Sequence, residues 1–118
     1  MKDAELKDIV GLTMKDVRRN NDDETITFEA TNGKTFKMYH RQDCCEDVHI
    51  EDICGNLADL VDTPIITALV STNDMEGGDG EPITWTFYRI LTAKGSVVIR
   101  WYGTSNGYYG TEVDFEEV

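Results

Sequence analysis

The sequence predicts an α+β fold that is mostly antiparallel β: a twisted sheet of about six to eight strands built from hairpins, with a short N-terminal helix and a short central helix. Three observations carry this expectation. From Met14 onward, apolar and polar residues alternate with a period of two, the pattern of half-buried strands. Turn residues such as Thr31-Asn32-Gly33 and Ala93-Lys94-Gly95 separate the alternating runs. Only two short stretches carry helix start and stop signals. The 118 residues form one domain, 1–118, and a hydrophobic content of 40% is enough to pack a core.

The elements follow in order. Asp3 is placed to cap a helix over Ala4–Val10, with Leu6, Ile9 and Val10 on one face and Gly11 ending it. Two turns are marginal alone, so this helix must dock. A strand at Met14–Asn20 then leads through Asn21-Asp22-Asp23 into the first hairpin, Glu24–Ala30 and Lys34–His40. A three-residue turn with Gly33 left-handed pairs Phe28 with Phe36 and Ile26 with Met38, which makes one face wholly apolar. Thr25, Thr27, Glu29, Thr35 and Lys37 then face solvent.

Val48–Ile53 reads as a short strand, with Val48 and Ile50 inward and His49 outward beside Glu51. Asn56 caps a short helix to Val61, which Pro64 stops. Pro64–Thr72 is a further β-branched strand, and Asn73–Glu81 a glycine-rich acidic loop. The second hairpin is Ile83–Thr92 and Ser96–Tyr102. Its turn, Ala93-Lys94-Gly95, pairs Leu91 with Val97, Arg89 with Ile99 and Phe87 with Trp101. Trp85, Phe87, Leu91, Val97, Ile99 and Trp101 are then the main core face. Tyr88 lies opposite Arg100 as a cation–π pair. Thr111–Val118, with Val113 and Phe115, adds an edge strand.

Charge limits function. With 23 acidic against 11 basic residues the net charge is −12, which disfavours binding to a phosphate backbone. No run reaches the roughly 18–20 apolar residues of a membrane helix. The N-terminal MKDAELKDIVGLTM lacks the basic and apolar regions of a secretory signal. Three cysteines, two of them adjacent, do not form an even, spread-out disulfide set. Together these predict a cytoplasmic, reducing setting with free thiols.

All three cysteines and both histidines fall between His40 and Cys54. Zinc takes such ligands, but H-x3-C-C-x3-H-x4-C over His40, Cys44, Cys45, His49 and Cys54 matches no common pair of knuckles. Small buried thiols with one surface histidine are the simpler account, and no cofactor is expected. A Cys–His nucleophile is disfavoured too, because Asp43, Glu46 and Asp47 oppose thiolate formation. Calcium in the acidic loop, through Asp74, Glu76, Asp79 and Glu81, departs from the usual acidic-loop pattern. The stretch from Trp101 to Gly110 sets tyrosines in a Gly/Ser/Asn loop, a common composition of recognition surfaces. The candidate ligand-binding residues are therefore His40, Asp43, Cys44, Cys45, Glu46, Arg100, Tyr102, Asn106, Tyr108 and Tyr109. A base would stack on the tyrosines while a phosphate meets Arg100.

The run Tyr39-His40, Asp43-Cys44-Cys45-Glu46-Asp47-Val48, Glu51-Asp52-Ile53, Gly55-Asn56-Leu57 and Asp59-Leu60 resembles a family of small phage and bacterial proteins of unknown function. So do Trp85-Thr86-Phe87-Tyr88 and Trp101-Tyr102-Gly103 with Ser105-Asn106-Gly107-Tyr108-Tyr109. The resemblance spans about Leu12 to Val113; Asn56 stands where the family tends to be acidic. It implies a shared fold and a phage or mobile-element origin, and it carries no established activity.

The favoured expectation is a non-enzymatic binding protein that sequesters a small, nucleotide-like ligand or a host protein. Three alternatives stay open: a DNA mimic, a Cys/His or metal-dependent enzyme, and a phage structural or assembly protein. The mimic is weakened by acids that fall in separate clusters. A homodimer would use the mixed face of Tyr88, Ile90, Val98 and Tyr102.

Overall fold

A computed structural model of the protein describes residues 2–20, 24–42, 45–76, 80–105 and 110–118. Among these, nine strands form two antiparallel sheets. They are β1 (Lys2–Asp3), β2 (Met14–Asn20), β3 (Thr25–Ala30), β4 (Thr35–Tyr39), β5 (Asp47–Cys54), β6 (Thr67–Glu76), β7 (Pro82–Thr92), β8 (Gly95–Thr104) and β9 (Asp114–Glu117). The first sheet has the order β1-β9-β4-β3-β2 and the second β5-β8-β7-β6. The expected single sheet is thus two, and residues 40–46 carry the chain from one to the other.

One hydrophobic core draws on both sheets. The first contributes Met14, Val17, Ile26, Phe28, Phe36, Met38 and Phe115; the second contributes Ile50, Tyr88, Ile90, Val97, Ile99 and Trp101. The two inner faces therefore stack as a sandwich. The buried Trp101 Nε1 donates to Met38 Sδ across it at 3.3 Å. Phe115 stacks on Phe36 and meets Phe28 edge-on, with ring centroids 5.6 and 5.9 Å apart.

Neither expected helix is an α-helix. Leu6–Ile9 and Leu57–Leu60 are single 3₁₀ turns. Each is too short to propagate, and each is held by docking instead, with Leu6, Ile9 and Leu60 buried. Val10 points out, and Asp3 lies in β1 rather than at a cap. The Glu5 amide instead donates to Asp8 Oδ2 at 2.9 Å. Asn56 does cap its turn, accepting from the Ala58 amide at 3.0 Å.

The first hairpin has the expected register, Ile26 opposite Met38 and Phe28 opposite Phe36. Gly33 has φ +92°, and the Ala30 amide donates to Lys34 O at 2.8 Å, closing the three-residue turn. Thr25 and Thr27, expected in solvent, are buried. Thr27 lies between Arg18 and Lys37 on the neighbouring strands, where long flanking side chains of this kind shield a short one.

The second hairpin differs by one residue. Thr92 pairs with Gly95 across a two-residue loop, so Ile90 faces Val97, Tyr88 faces Ile99 and Thr86 faces Trp101. A one-residue slip inverts a whole strand. Thr86, Tyr88, Ile90 and Thr92 are therefore inside, and Trp85, Phe87 and Leu91 outside. The cause lies in the turn's side chains. Thr92 Oγ1 donates to Asp59 O at 2.6 Å and Lys94 Nζ to Val61 O at 2.8 Å, tying the loop to the second 3₁₀ turn. Tyr88 is thus not beside Arg100; the guanidinium lies 5.1 Å from the Trp85 ring centroid instead.

The last strand, β9, is not an edge: it sits between β1 and β4. β6 begins later than expected and runs on to Glu76, so Asn73–Glu76 is strand rather than loop. The rest of that acidic segment, residues 77–79, and the turn Asn21-Asp22-Asp23 lie outside the described residues.

Candidate functional site

Three arrangements gather the chemistry-bearing side chains. The first is the crossing between the sheets. His40 follows β4 directly, and its ring is almost wholly buried, with Nδ1 2.6 Å from Glu112 O and Nε2 3.2 Å from Glu46 Oε2. A carbonyl only accepts, so Nδ1 carries a proton. Gln42 Nε2 donates to Glu46 O at 2.6 Å and to Glu46 Oε1 at 3.0 Å. β5 begins immediately after, and Asp47 pairs with Thr104. His40, Glu46 and the end of β8 therefore adjoin, which the sequence left open; residues 43–44 and 106–109 lie outside the described residues.

The second arrangement covers the outer face of the second sheet. Along β5, His49 Nδ1 lies 2.9 Å from Asp47 Oδ1 and Nε2 lies 3.0 Å from Glu51 Oε2. Burial pushes this imidazole down, but the two carboxylates outweigh it and its pKa is raised above 6.5. A β-bulge between Ile50 and Asp52 returns Asp52 to the same outer face, opposite Arg100. Arg100 meets it with two hydrogen bonds, Nε to Oδ1 at 3.1 Å and Nη2 to Oδ2 at 2.6 Å. Tyr102 packs between His49 and Trp85, with ring centroids 5.4 and 5.0 Å away. Glu24 braces the bulge: its Oε2 accepts from the Ile50 amide at 3.1 Å, from a backbone with φ +49°.

The third arrangement is a groove of about 800 Å³ between the inner side of β6–β7 and the segments 4–7 and 111–115. Its walls include Leu6, Ala68, Val70, Thr86, Tyr88 and Phe115 at one end and Asp74, Thr84, Thr111 and Glu112 at the other. Thr111 Oγ1 donates to Thr84 Oγ1 at 2.9 Å, which donates to Asp74 Oδ1 at 3.0 Å. Burial pushes the Tyr88 phenol up, and Asp114 adds to the effect, so it stays a neutral hydroxyl. Glu5, Asp74 and Glu112 against Lys7 leave the lining at −2 (one base minus three acids).

β6 forms the rim of this groove and the edge of its sheet. Its ten residues pair with β7 without a register shift. Leu69, Val70 and Met75 are 59%, 53% and 50% exposed. The sequence signal was present, in a strand with apolar residues on both faces, but that pattern reads as burial.

Of the expected site residues, His40, Glu46, Arg100 and Tyr102 are placed as above. Asp43, Cys44, Asn106, Tyr108 and Tyr109 lie outside the described residues. The free-thiol expectation holds for Cys54, which is exposed rather than buried, and fails for Cys45, which is disulfide-bonded. An odd set leaves room for both states, and spacing does not separate them. His49, expected outward, is the more accessible ring, and the His40 ring is buried. Among the described residues no group of three or more His, Cys, Asp or Glu is placed to hold a metal ion. Among them, too, no helix is long and apolar enough to cross a membrane.

The acidic side chains are widely distributed. Asp16 and Glu29 pair with Arg18 on the first sheet, Asp52 pairs with Arg100 on the second, and Glu5 pairs with Lys7 beside the groove. No curated protein and no solved structure matches the chain. A family described as a domain of unknown function, DUF7448, matches residues 6–115, and the chain belongs to that family.

Proposed function

We propose that the chain is a non-enzymatic binding protein that takes up an extended segment of a partner protein along β6. One observation carries the reading: an edge strand of ten residues with Leu69, Val70 and Met75 open to solvent. The free side of an edge strand is a template for another strand, and natural edges are commonly blunted by lysine, proline or a bulge. β6 has no lysine or proline, and its register with β7 is unbroken. Strand addition supplies affinity through main-chain hydrogen bonds and specificity through alternate side chains. The resemblance to small phage and bacterial proteins supports a phage or mobile-element origin and a host protein, met in the cytoplasm, as the source of the segment.

The test is a photo-reactive residue at position 69, compared with one at position 15 on the first sheet. The expected result is a discrete cross-linked partner from position 69 alone. That partner, once purified, slows amide exchange over residues 67–76. Equal cross-linking from both positions, or unchanged exchange over β6, overturns the reading.

The hydroxyl chain Thr111–Thr84–Asp74 favours a second reading, a small polar ligand in the groove. A nucleotide phosphate at Arg100 is less favoured, because Asp52 already occupies that guanidinium in two-point contact. Thermal stabilisation by a nucleotide or sugar panel that is lost in Thr84→Val supports this second reading. No shift from any compound removes it.

A further inference from the structure

We infer that the segment taken up by β6 runs antiparallel to it and carries a lysine or arginine followed, four residues later, by an aliphatic residue. The inference rests on the strand-addition reading and adds the chemistry of the occupant. Register fixes the geometry. Ala68, Val70, Thr72 and Asp74 pair with Ile90, Tyr88, Thr86 and Thr84, so these alternate residues of β6 share the groove side. Leu69, Ser71, Asn73 and Met75 share the other side. A strand laid beside β6 likewise turns every second side chain into the groove.

The groove is not uniform along this line. Val70 lies beside Tyr88, while Asp74 lies beside Thr84 and, through it, Thr111; Leu6, Phe115 and Glu112 also line the groove. An aliphatic side chain opposite Val70 covers apolar surface that is otherwise wet. A cationic side chain opposite Asp74 meets a lining of net charge −2 in a chain of net charge −12. Every strand pair in both sheets is antiparallel, and antiparallel pairing is the more stable per residue. In that direction the position facing Asp74 precedes the one facing Val70 by four residues. A second copy of this chain is a poorer occupant, because it would bring another −12 to the same rim.

The probe is a capped ten-residue threonine peptide with one lysine and, four positions later, one valine. Two controls replace the lysine by glutamate or reverse the order of the two residues. Binding is read by fluorescence anisotropy, and location by amide exchange over 67–76. The lysine peptide is expected to protect β6 and to bind about tenfold more tightly than either control, with the preference over glutamate shrinking in salt. Asp74→Asn, which keeps an acceptor for Thr84, is expected to remove most of the preference for lysine, as is Glu112→Gln. Equal binding of lysine and glutamate peptides, or a preference unchanged in Asp74→Asn, overturns the inference. If β6 is still protected in that case, strand addition stands. Protection of β6 by none of the peptides at millimolar concentration overturns both.

Discussion

The indole N–H of Trp101 donates to the sulfur of Met38, and this buried contact of 3.3 Å joins the two sheets. Met38→Leu conserves volume but leaves a buried donor without its acceptor, which costs about 1–3 kcal/mol. Trp101→Phe removes the donor. In that background Met38→Leu should cost about 1–3 kcal/mol less than in the wild type. Urea denaturation of the four proteins measures the difference, and equal costs in the two backgrounds would refute the coupling.

The His40–Glu46 pair is buried at the crossing between the sheets, with Glu46 supported by Gln42. Removing one member of a buried pair strands the other. Glu46→Ala should therefore destabilise by about 3–5 kcal/mol, and Glu46→Gln, which can still bond to Nε2, by clearly less. Comparable losses in chemical denaturation would mean that packing, not the hydrogen bond, holds the crossing.

His49 sets a pH dependence. Its folded pKa is raised above the unfolded value near 6.5, so its contribution to stability is full below about pH 6.5 and is lost as pH rises through the folded value. A ring-proton titration by NMR should give a midpoint above 6.5. Between pH 6 and pH 9, wild type should lose more melting temperature than His49→Gln. A parallel fall in both proteins would remove the effect.

The register of β7 makes a sharp contrast. Tyr88 is inside and Phe87 on the outer face. Tyr88→Ala should cost about 3–5 kcal/mol and Phe87→Ala less than about 1.5 kcal/mol. The reverse order in urea melts would support the three-residue turn that the sequence alone suggests.

Gly55, between β5 and the second 3₁₀ turn, has φ +111°, and a Cβ there would lie 2.7 Å from Ser96 O. Gly55→Ala therefore meets both strain and backbone contact. It should cost more than the ~1–3 kcal/mol of the strained conformation alone. A thermal melt close to wild type would count against this close approach of the chain to β8.

What could be read from the sequence depended on how many registers the apolar pattern allowed. For β3 and β4, only one offset matches Ile26 and Phe28 to Met38 and Phe36, and it is the one observed. For β7 both parities are rich in large residues, with Trp85, Phe87 and Leu91 against Tyr88 and Ile90. The choice there is made by Asp59 and Val61, more than thirty positions upstream of Thr92 and Lys94. The site shows the same limit. The concentration of groups from His40 to Cys54 was visible, as was the outward His49. The engagement of Arg100 by Asp52 depends on a bulge, and the open side of β6 on its place in the sheet order, and neither is a local property.

The position of β9 bears on the order of assembly in time. Its register places Phe36 against Glu117 and Met38 against Phe115, so the first sheet is completed by pairings that span most of the chain. β6 instead pairs with β7, and β7 with β8, each with its immediate successor across a short connection. Loop closure favours such local pairs. The β6–β7–β8 meander is thus poised to form while β1 still waits for β9, its only strand partner among the described residues. Until β9 is made and pairs, the half-built first sheet holds Phe36 and Met38 without a neighbouring strand on one side. That interval is when this fold is most exposed to chaperones, proteases and its own neighbours.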